Sequence, residues 1–172
     1  MHLKRALPIA VIAALSLMAA NAQQPKPIPT PQVSITRNFH GIHAKIIEMA
    51  QDFPADKYDF KPNKDVRSFR EVLVHIAGGL QFAAKAGSSD QKVNWDELDP
   101  NQYKTKEDVV AMLQKLDGEA EAALKAWPEE KFSKQIYPWM AVIEHSAEHY
   151  GQLVVYYRLN NLVPPETRKG NN

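Results

Sequence analysis

The sequence predicts an all-α protein, a four-helix bundle, and three observations carry that prediction. Four segments repeat apolar residues at spacings of three and four, which is the period of an amphipathic helix. Two of these segments open with the spacing of a capping box, in which a Ser or Thr and an acidic residue three positions later satisfy free backbone amides. Strand-like alternation is missing from the sequence. Four helices with one apolar stripe each bury those stripes best against one another.

The first two helices have clear ends in the sequence. The first is predicted from about Thr36 to Gln51, and Pro54 ends it because proline cannot continue a helix. The second begins at Ser68, whose side chain can cap the helix while Glu71 reaches back to it. We expect this helix to stop at Gly87.

The other two helices are predicted in the same way. The third opens at Thr105 and carries an apolar stripe that runs to Trp127. The fourth begins near Pro138, a favoured first-turn residue, and extends to Asn160. Asn161 can adopt the left-handed conformation that closes a helix. The connections after the second and third helices are long enough for crossovers, so simple up-and-down order does not follow from the residues.

The first 22 residues have the pattern of a cleavable signal peptide. Lys4 and Arg5 give a positive start, and the residues from Ala6 to Ala20 carry no charge. Small residues at Ala20 and Ala22 then suit a signal peptidase, which predicts cleavage before Gln23. The uncharged run is shorter than the roughly 20 apolar residues that span a bilayer, so a retained anchor is the weaker interpretation. We therefore expect an exported bacterial protein, periplasmic or secreted, with no membrane association after cleavage.

Composition sets further limits. A proline-rich leader at 23–35 is predicted to precede a helical domain at 36–168 and a tail at 169–172. The chain has no cysteine, which excludes disulfides, thiolate metal ligands and a cysteine nucleophile. Its 21 basic and 20 acidic residues leave no surplus of positive charge for phosphates, so nucleic acid is not an expected partner.

Histidines give the strongest indication of chemistry. His145 and His149 are four residues apart on the fourth helix, so both imidazoles project from one face and can reach one ion. A third ligand must come from another helix, and His75 is the best candidate because it interrupts the apolar stripe of the second helix. Gly78 and Gly79 follow within a turn, where missing side chains either open a pocket beside the imidazole or allow close helix packing.

Four more side chains are candidates for a role near this site. Glu148 and Gln152 share the histidine face of the fourth helix, and Tyr156 lies one turn further on. We consider Glu148 or Tyr156 as the group that handles protons, although Glu148 could instead orient an imidazole. His43 on the first helix is a fourth ligand, a proton shuttle or a polar group on the rim of the pocket, and the rim is the favoured interpretation. The string from His145 to His149 also fits H-x-x-E-H, an inverted zinc-protease motif, but five letters match readily by chance.

Two groups of segments together resemble the DinB-like metalloprotein superfamily. The first group is residues 53–62, 66–69 and 74–77; the second is residues 144–153, 157–159 and 163–165. The resemblance covers about residues 37–168 and implies a four-helix bundle of the DinB/YfiT-like type with crossover connections. It also implies a metal site formed by His75, His145 and His149, and a homodimer, which members often form.

The resemblance also bears on function. The superfamily includes thiol-dependent transferases and isomerases, and many of its members have no assigned reaction. Three imidazoles suit a divalent transition metal, with zinc the first choice and nickel or iron as alternatives. We therefore expect a metal-dependent hydrolase or transferase that acts on a small molecule. The alternatives are a non-catalytic, metal-stabilised bundle and a site that holds no metal.

Overall fold

The computed structural model describes residues 27–90 and 92–170. The predicted signal peptide and the first four residues of the predicted leader lie outside these ranges, as do the last two residues of the tail. Within the described part of the chain all regular structure is helical, as the sequence predicts. No helix among these residues is long and apolar enough to cross a membrane.

Four of the helices are long and two are short. The long ones are α1 (Pro31–Asp52), α2 (Phe69–Gly87), α3 (Lys106–Ala126) and α5 (Tyr137–Leu159), and the short ones are α4 (Glu129–Phe132) and α6 (Pro165–Lys169). Two 3₁₀ turns, Ala55–Lys57 and Pro100–Gln102, lie in the connections on either side of α2.

The long helices pack as an all-helical bundle in which each contacts two others closely. Helix α2 packs against α3 and α5, and α1 packs against the same two helices. The helices α1 and α2 follow one another in sequence but are not close partners. The segment 53–68 connects them across the bundle. This arrangement makes α2 and α5 neighbours. A site that combines His75 of α2 with His145 and His149 of α5 requires this contact.

Local signals explain most of the helix ends. Ser68 accepts a hydrogen bond from the Glu71 amide while the Glu71 carboxylate accepts one from the Ser68 amide, and Thr105 forms the same capping box with Asp108. Asn161 has a φ of 57°, the left-handed conformation predicted for it.

The first helix begins five residues earlier than predicted. Thr30 caps it by accepting a hydrogen bond from the Val33 amide, and Pro31 occupies the first turn, where its missing N–H has no consequence. The last of the leader prolines thus starts a helix instead of extending the tether.

Aromatic packing and a surface ion pair close one end of the bundle. The rings of Phe53 and Phe69 stack at 3.8 Å between centroids. The Tyr157 hydroxyl donates to the Met49 carbonyl at 2.9 Å. The carboxylate of Asp52, the last residue of α1, also accepts hydrogen bonds from Tyr157 and from the Arg168 guanidinium. The Arg168–Asp52 ion pair holds α6 against α1.

Candidate metal centre

The three predicted histidines come together between α2 and α5. One nitrogen from each of His75, His145 and His149 lies within 4.8 Å of the others, and these are the residues of the described chain that form such a group. The Nε2 atoms of His75 and His145 are 3.0 Å apart. The ring centroids of His145 and His149 are 4.5 Å apart, as expected for residues one helical turn apart on the same face.

The other ring nitrogen of His75 is held by an acidic side chain from the loop between α2 and α3. His75 Nδ1 lies 2.9 Å from the Glu97 Oε2 atom. A carboxylate in this position accepts a hydrogen bond from the Nδ1–H group. This bond fixes the orientation of the ring and leaves Nε2 with a free lone pair. Sequence reasoning missed Glu97, whose only signal is a pair of acidic residues, Asp96 and Glu97, in an otherwise irregular loop.

His149 is oriented by a chain of hydrogen bonds along α5. Its Nδ1 donates to the Gln152 Oε1 atom at 2.8 Å, and the Gln152 amide nitrogen lies 3.5 Å from the Tyr156 hydroxyl. That hydroxyl in turn donates to the backbone carbonyl of Arg67. Gln152 and Tyr156 therefore orient the imidazole, and the phenolic proton is engaged by the Arg67 carbonyl. The predicted proton-handling role of Tyr156 stays a prediction.

A tryptophan that the sequence did not single out fills the space beside the two glycines. The Trp95 ring lies edge-on to His145, with 4.7 Å between centroids, and stacks on Phe82. A Cβ atom at Gly79 would lie 2.8 Å from the Trp95 ring and 3.1 Å from His145 Nδ1, and one at Gly78 would lie 3.2 Å from the Asp96 carbonyl. The glycines thus allow close packing of the loop that carries Trp95. Their predicted place in a substrate pocket stays a prediction.

Burial favours the neutral form of His145 and of His149. Desolvation, followed by the neighbouring His149 and His75, lowers the pKa of His145 to about 4. Desolvation is also the largest cause that lowers the pKa of His149. A metal ligand must be an unprotonated imidazole, so the burial of the cluster prepares both rings for binding at neutral pH.

His43 lies in the core, apart from the histidine cluster. It is 1% exposed, and its Nε2 lies 2.9 Å from the Ser146 Oγ atom of α5. Its Nδ1 faces the Asp117 carboxylate at 3.7 Å. Burial lowers the pKa of His43 to about 3 and raises the pKa of Asp117 to about 6. His43 is thus a buried core residue and not part of the rim, because Ser146 gives its ring a partner inside the bundle.

Glu148 lies on the exposed side of α5. Its charge acts to raise the pKa of His149, so the carboxylate is near that ring. It makes no hydrogen bond or ion pair among the described residues. Its predicted catalytic role remains a prediction.

A polar cleft borders the histidine cluster. It has a volume of about 580 Å³, and its walls include His75, Glu97 and Gln152 together with Arg67 and two lysines, Lys61 and Lys64. A second cleft of about 560 Å³ lies on the far side of Trp95 and is lined by Phe82 and Tyr137. The polar cleft contains a histidine of the cluster, and we regard it as the access route to the site.

The donor set fits a divalent transition metal. His75 and His149 have Nδ1 engaged, so each has Nε2 left to coordinate, and His145 directs Nε2 at His75. Nitrogen atoms at these separations can reach a common ion, at about 2.0–2.1 Å for zinc, with small rotations of the rings. His145 Nδ1 is buried without a hydrogen-bond partner among the described residues, which leaves that atom free to hold the proton when Nε2 binds a metal.

Comparison with known proteins shows the family to which the chain belongs. A family model described as the DinB superfamily matches residues 39–156, which is more than half of the chain. The chain therefore belongs to the DinB superfamily. A search of curated proteins finds no match.

Proposed function

We propose that this member of the DinB superfamily binds one divalent transition metal ion through His75, His145 and His149 and uses it in a hydrolase or transferase reaction on a small molecule. The convergence of three imidazoles from α2 and α5 carries the proposal. Zinc is the first choice of metal, and the protein is exported. The bundle consists of the four long helices, and the short helices α4 and α6 are not part of it.

An open coordination position favours an enzyme over a purely structural metal site. Structural zinc sites use four protein ligands, whereas catalytic ones keep a position for water or substrate. Three histidines of the described chain form the candidate metal-binding group. His43, which the sequence offered as a possible fourth ligand, is hydrogen-bonded to Ser146 instead. With one open position, such an ion supplies Lewis-acid chemistry that polarises a substrate oxygen or activates water.

The protein's own groups have separate tasks in this proposal. Glu97 and Gln152 hold the rings of His75 and His149 so that both present Nε2. Trp95 packs edge-on against His145 and limits the access of water to that ring. Glu148 remains the candidate for proton transfer, since it is near His149 and has no other partner among the described residues.

Metal analysis tests the proposal directly. Protein purified without an affinity tag should contain about one transition-metal ion per chain, measured by mass spectrometry of the elements. His75→Ala and His149→Ala should lose the ion because two imidazoles under-coordinate it. His40→Ala is the matched control, because His40 is a partly exposed histidine of α1 that pairs with Glu121.

Two outcomes would contradict the proposal. One is a wild-type protein without transition metal under conditions that do not strip it. The other is equal metal content in His75→Ala and His40→Ala. Far-UV circular dichroism of each variant separates loss of the site from loss of the fold.

A further inference from the structure

The polar cleft beside the histidine cluster has one cation that is not closely paired. Lys61 Nζ lies 2.9 Å from a Glu71 carboxylate oxygen, and Lys64 Nζ lies 2.8 Å from an Asp65 carboxylate oxygen. The Arg67 guanidinium, by contrast, is 4.0 Å from the nearest Glu97 oxygen, which is beyond hydrogen-bond distance. It donates no hydrogen bond to any described residue, and Arg67 is part of the lining of the cleft.

The backbone of Arg67 is tied to the histidine cluster. Its carbonyl accepts the Tyr156 hydroxyl, which is linked through Gln152 to the ring of His149. Its charge also acts on the imidazoles, because Arg67 is among the groups that lower the pKa of both His145 and His149. The guanidinium is thus held near the open side of the cluster, on the wall of the same cleft.

From this arrangement we infer that Arg67 binds an anionic oxygen-bearing group of the substrate, a carboxylate or a phosphate, while the substrate's reacting end faces the three histidines. The planar guanidinium can donate two parallel hydrogen bonds to either anion, a geometry that lysine lacks. The inference rests on the proposed function, because it places the reacting end of the substrate at the metal.

Three series of probes with a common metal-binding end test this assignment. The protein is loaded with cobalt(II), whose visible absorption reports changes in coordination. It is then titrated with linear hydroxamates that end in a carboxylate, in a phosphonate or in a methyl group, at several chain lengths. In wild type we expect one of the anionic probes to bind at least about tenfold more tightly than the neutral probe of equal length, the range of a charge-assisted hydrogen bond.

Two variants give the assignment its control. Arg67→Gln should bring the ratio of anionic to neutral affinity close to one, because the loss of affinity falls on the anionic probes. Lys64→Gln removes one positive charge from the same cleft but from a residue paired with Asp65, so it should change the ratio less than threefold.

The outcomes separate this inference from the proposed function. If the neutral hydroxamate perturbs the cobalt spectrum but neither anionic probe binds more tightly, the metal site stands and the role of Arg67 is wrong. Equal loss of discrimination in Arg67→Gln and Lys64→Gln would also overturn it, since general attraction by the cleft would then be enough. If cobalt does not bind at all, the proposed function and this inference both fail.

Discussion

Replacement of Gly79 by alanine should damage the histidine cluster by way of Trp95. The added Cβ would lie 2.8 and 2.9 Å from two atoms of the Trp95 ring and 3.1 Å from His145 Nδ1. Carbon atoms pack at about 3.5–4.0 Å, so the ring or the helix must move by roughly 0.5–1 Å. The ring cannot retreat freely, because Phe82 stacks on it at 4.9 Å between centroids.

The size of the effect follows from two opposing terms. Overpacking of this kind costs about 1–3 kcal/mol, whereas alanine gains about 1 kcal/mol over glycine in a helix. Gly151→Ala is the matched control, because Gly151 is also in a helix that carries the histidines and a Cβ there would meet no atom within 4 Å. The unfolding free energy of Gly79→Ala should therefore be about 1–3 kcal/mol below that of Gly151→Ala.

Urea unfolding of the two variants measures this difference, and competition with a chromogenic chelator measures their metal affinity. Gly79→Ala should bind metal more weakly, because the added methyl group displaces His145, whereas Gly151→Ala should bind like wild type. Equal stability and equal metal affinity in the two variants would refute the reasoning, since Trp95 would then be free to move away at no cost.

Three further results are expected. Glu97→Gln should weaken metal binding by about 10- to 100-fold in chelator competition, because His75 loses its carboxylate partner, while Glu119→Gln on the exposed side of α3 should change nothing. Between pH 7 and pH 5, His43 should lower the unfolding free energy of the metal-free protein by up to about 2 kcal/mol. The reason is that the pKa of His43 is 6.5 in the unfolded chain and about 3 in the folded protein, so only the unfolded state takes up a proton in this range. Urea unfolding of His43→Gln should show a flatter slope over that range, and an unchanged slope would contradict this. Asn161→Gly should unfold at the same temperature as wild type or a higher one, whereas Asn161→Val should lose about 1–2 kcal/mol at this positive φ; similar melting of both variants would contradict it.

Sequence-based prediction succeeded where the determinants are local. The capping boxes at Ser68 and Thr105 each need only four consecutive residues, and the structure forms both. The i, i+4 pair of His145 and His149 is equally local, because one helical turn alone brings the rings to one face. His75 could be added because an imidazole within an apolar stripe indicates a buried polar partner.

The remaining features depend on how distant segments pack. Trp95 and Glu97 lie in a loop without regular structure, and their contacts with His145 and His75 exist only because that loop folds back over α2. The glycine pair was the one local indication of this close approach, and it did not reveal which side chain would fill the space. The early start of α1 was missed for a different reason. Alternating prolines favour an extended leader, but Thr30 caps the helix and Pro31, the last of these prolines, is its first residue.

All three imidazoles belong to α2 and α5, whereas α1 and α3 supply none of them. Substitutions in the interior faces of α1 and α3 would act first on folding stability, and His43 of α1 reaches the cluster through Ser146, the neighbour of His145. The loop before α2 supplies Arg67 and the loop after it supplies Trp95 and Glu97, so exchange of these two short segments would present a new set of walls to the same three ligands. The two histidine-bearing helices add Glu71 and Gln152 to these walls, and the remaining wall residues that carry charge lie in the two connections.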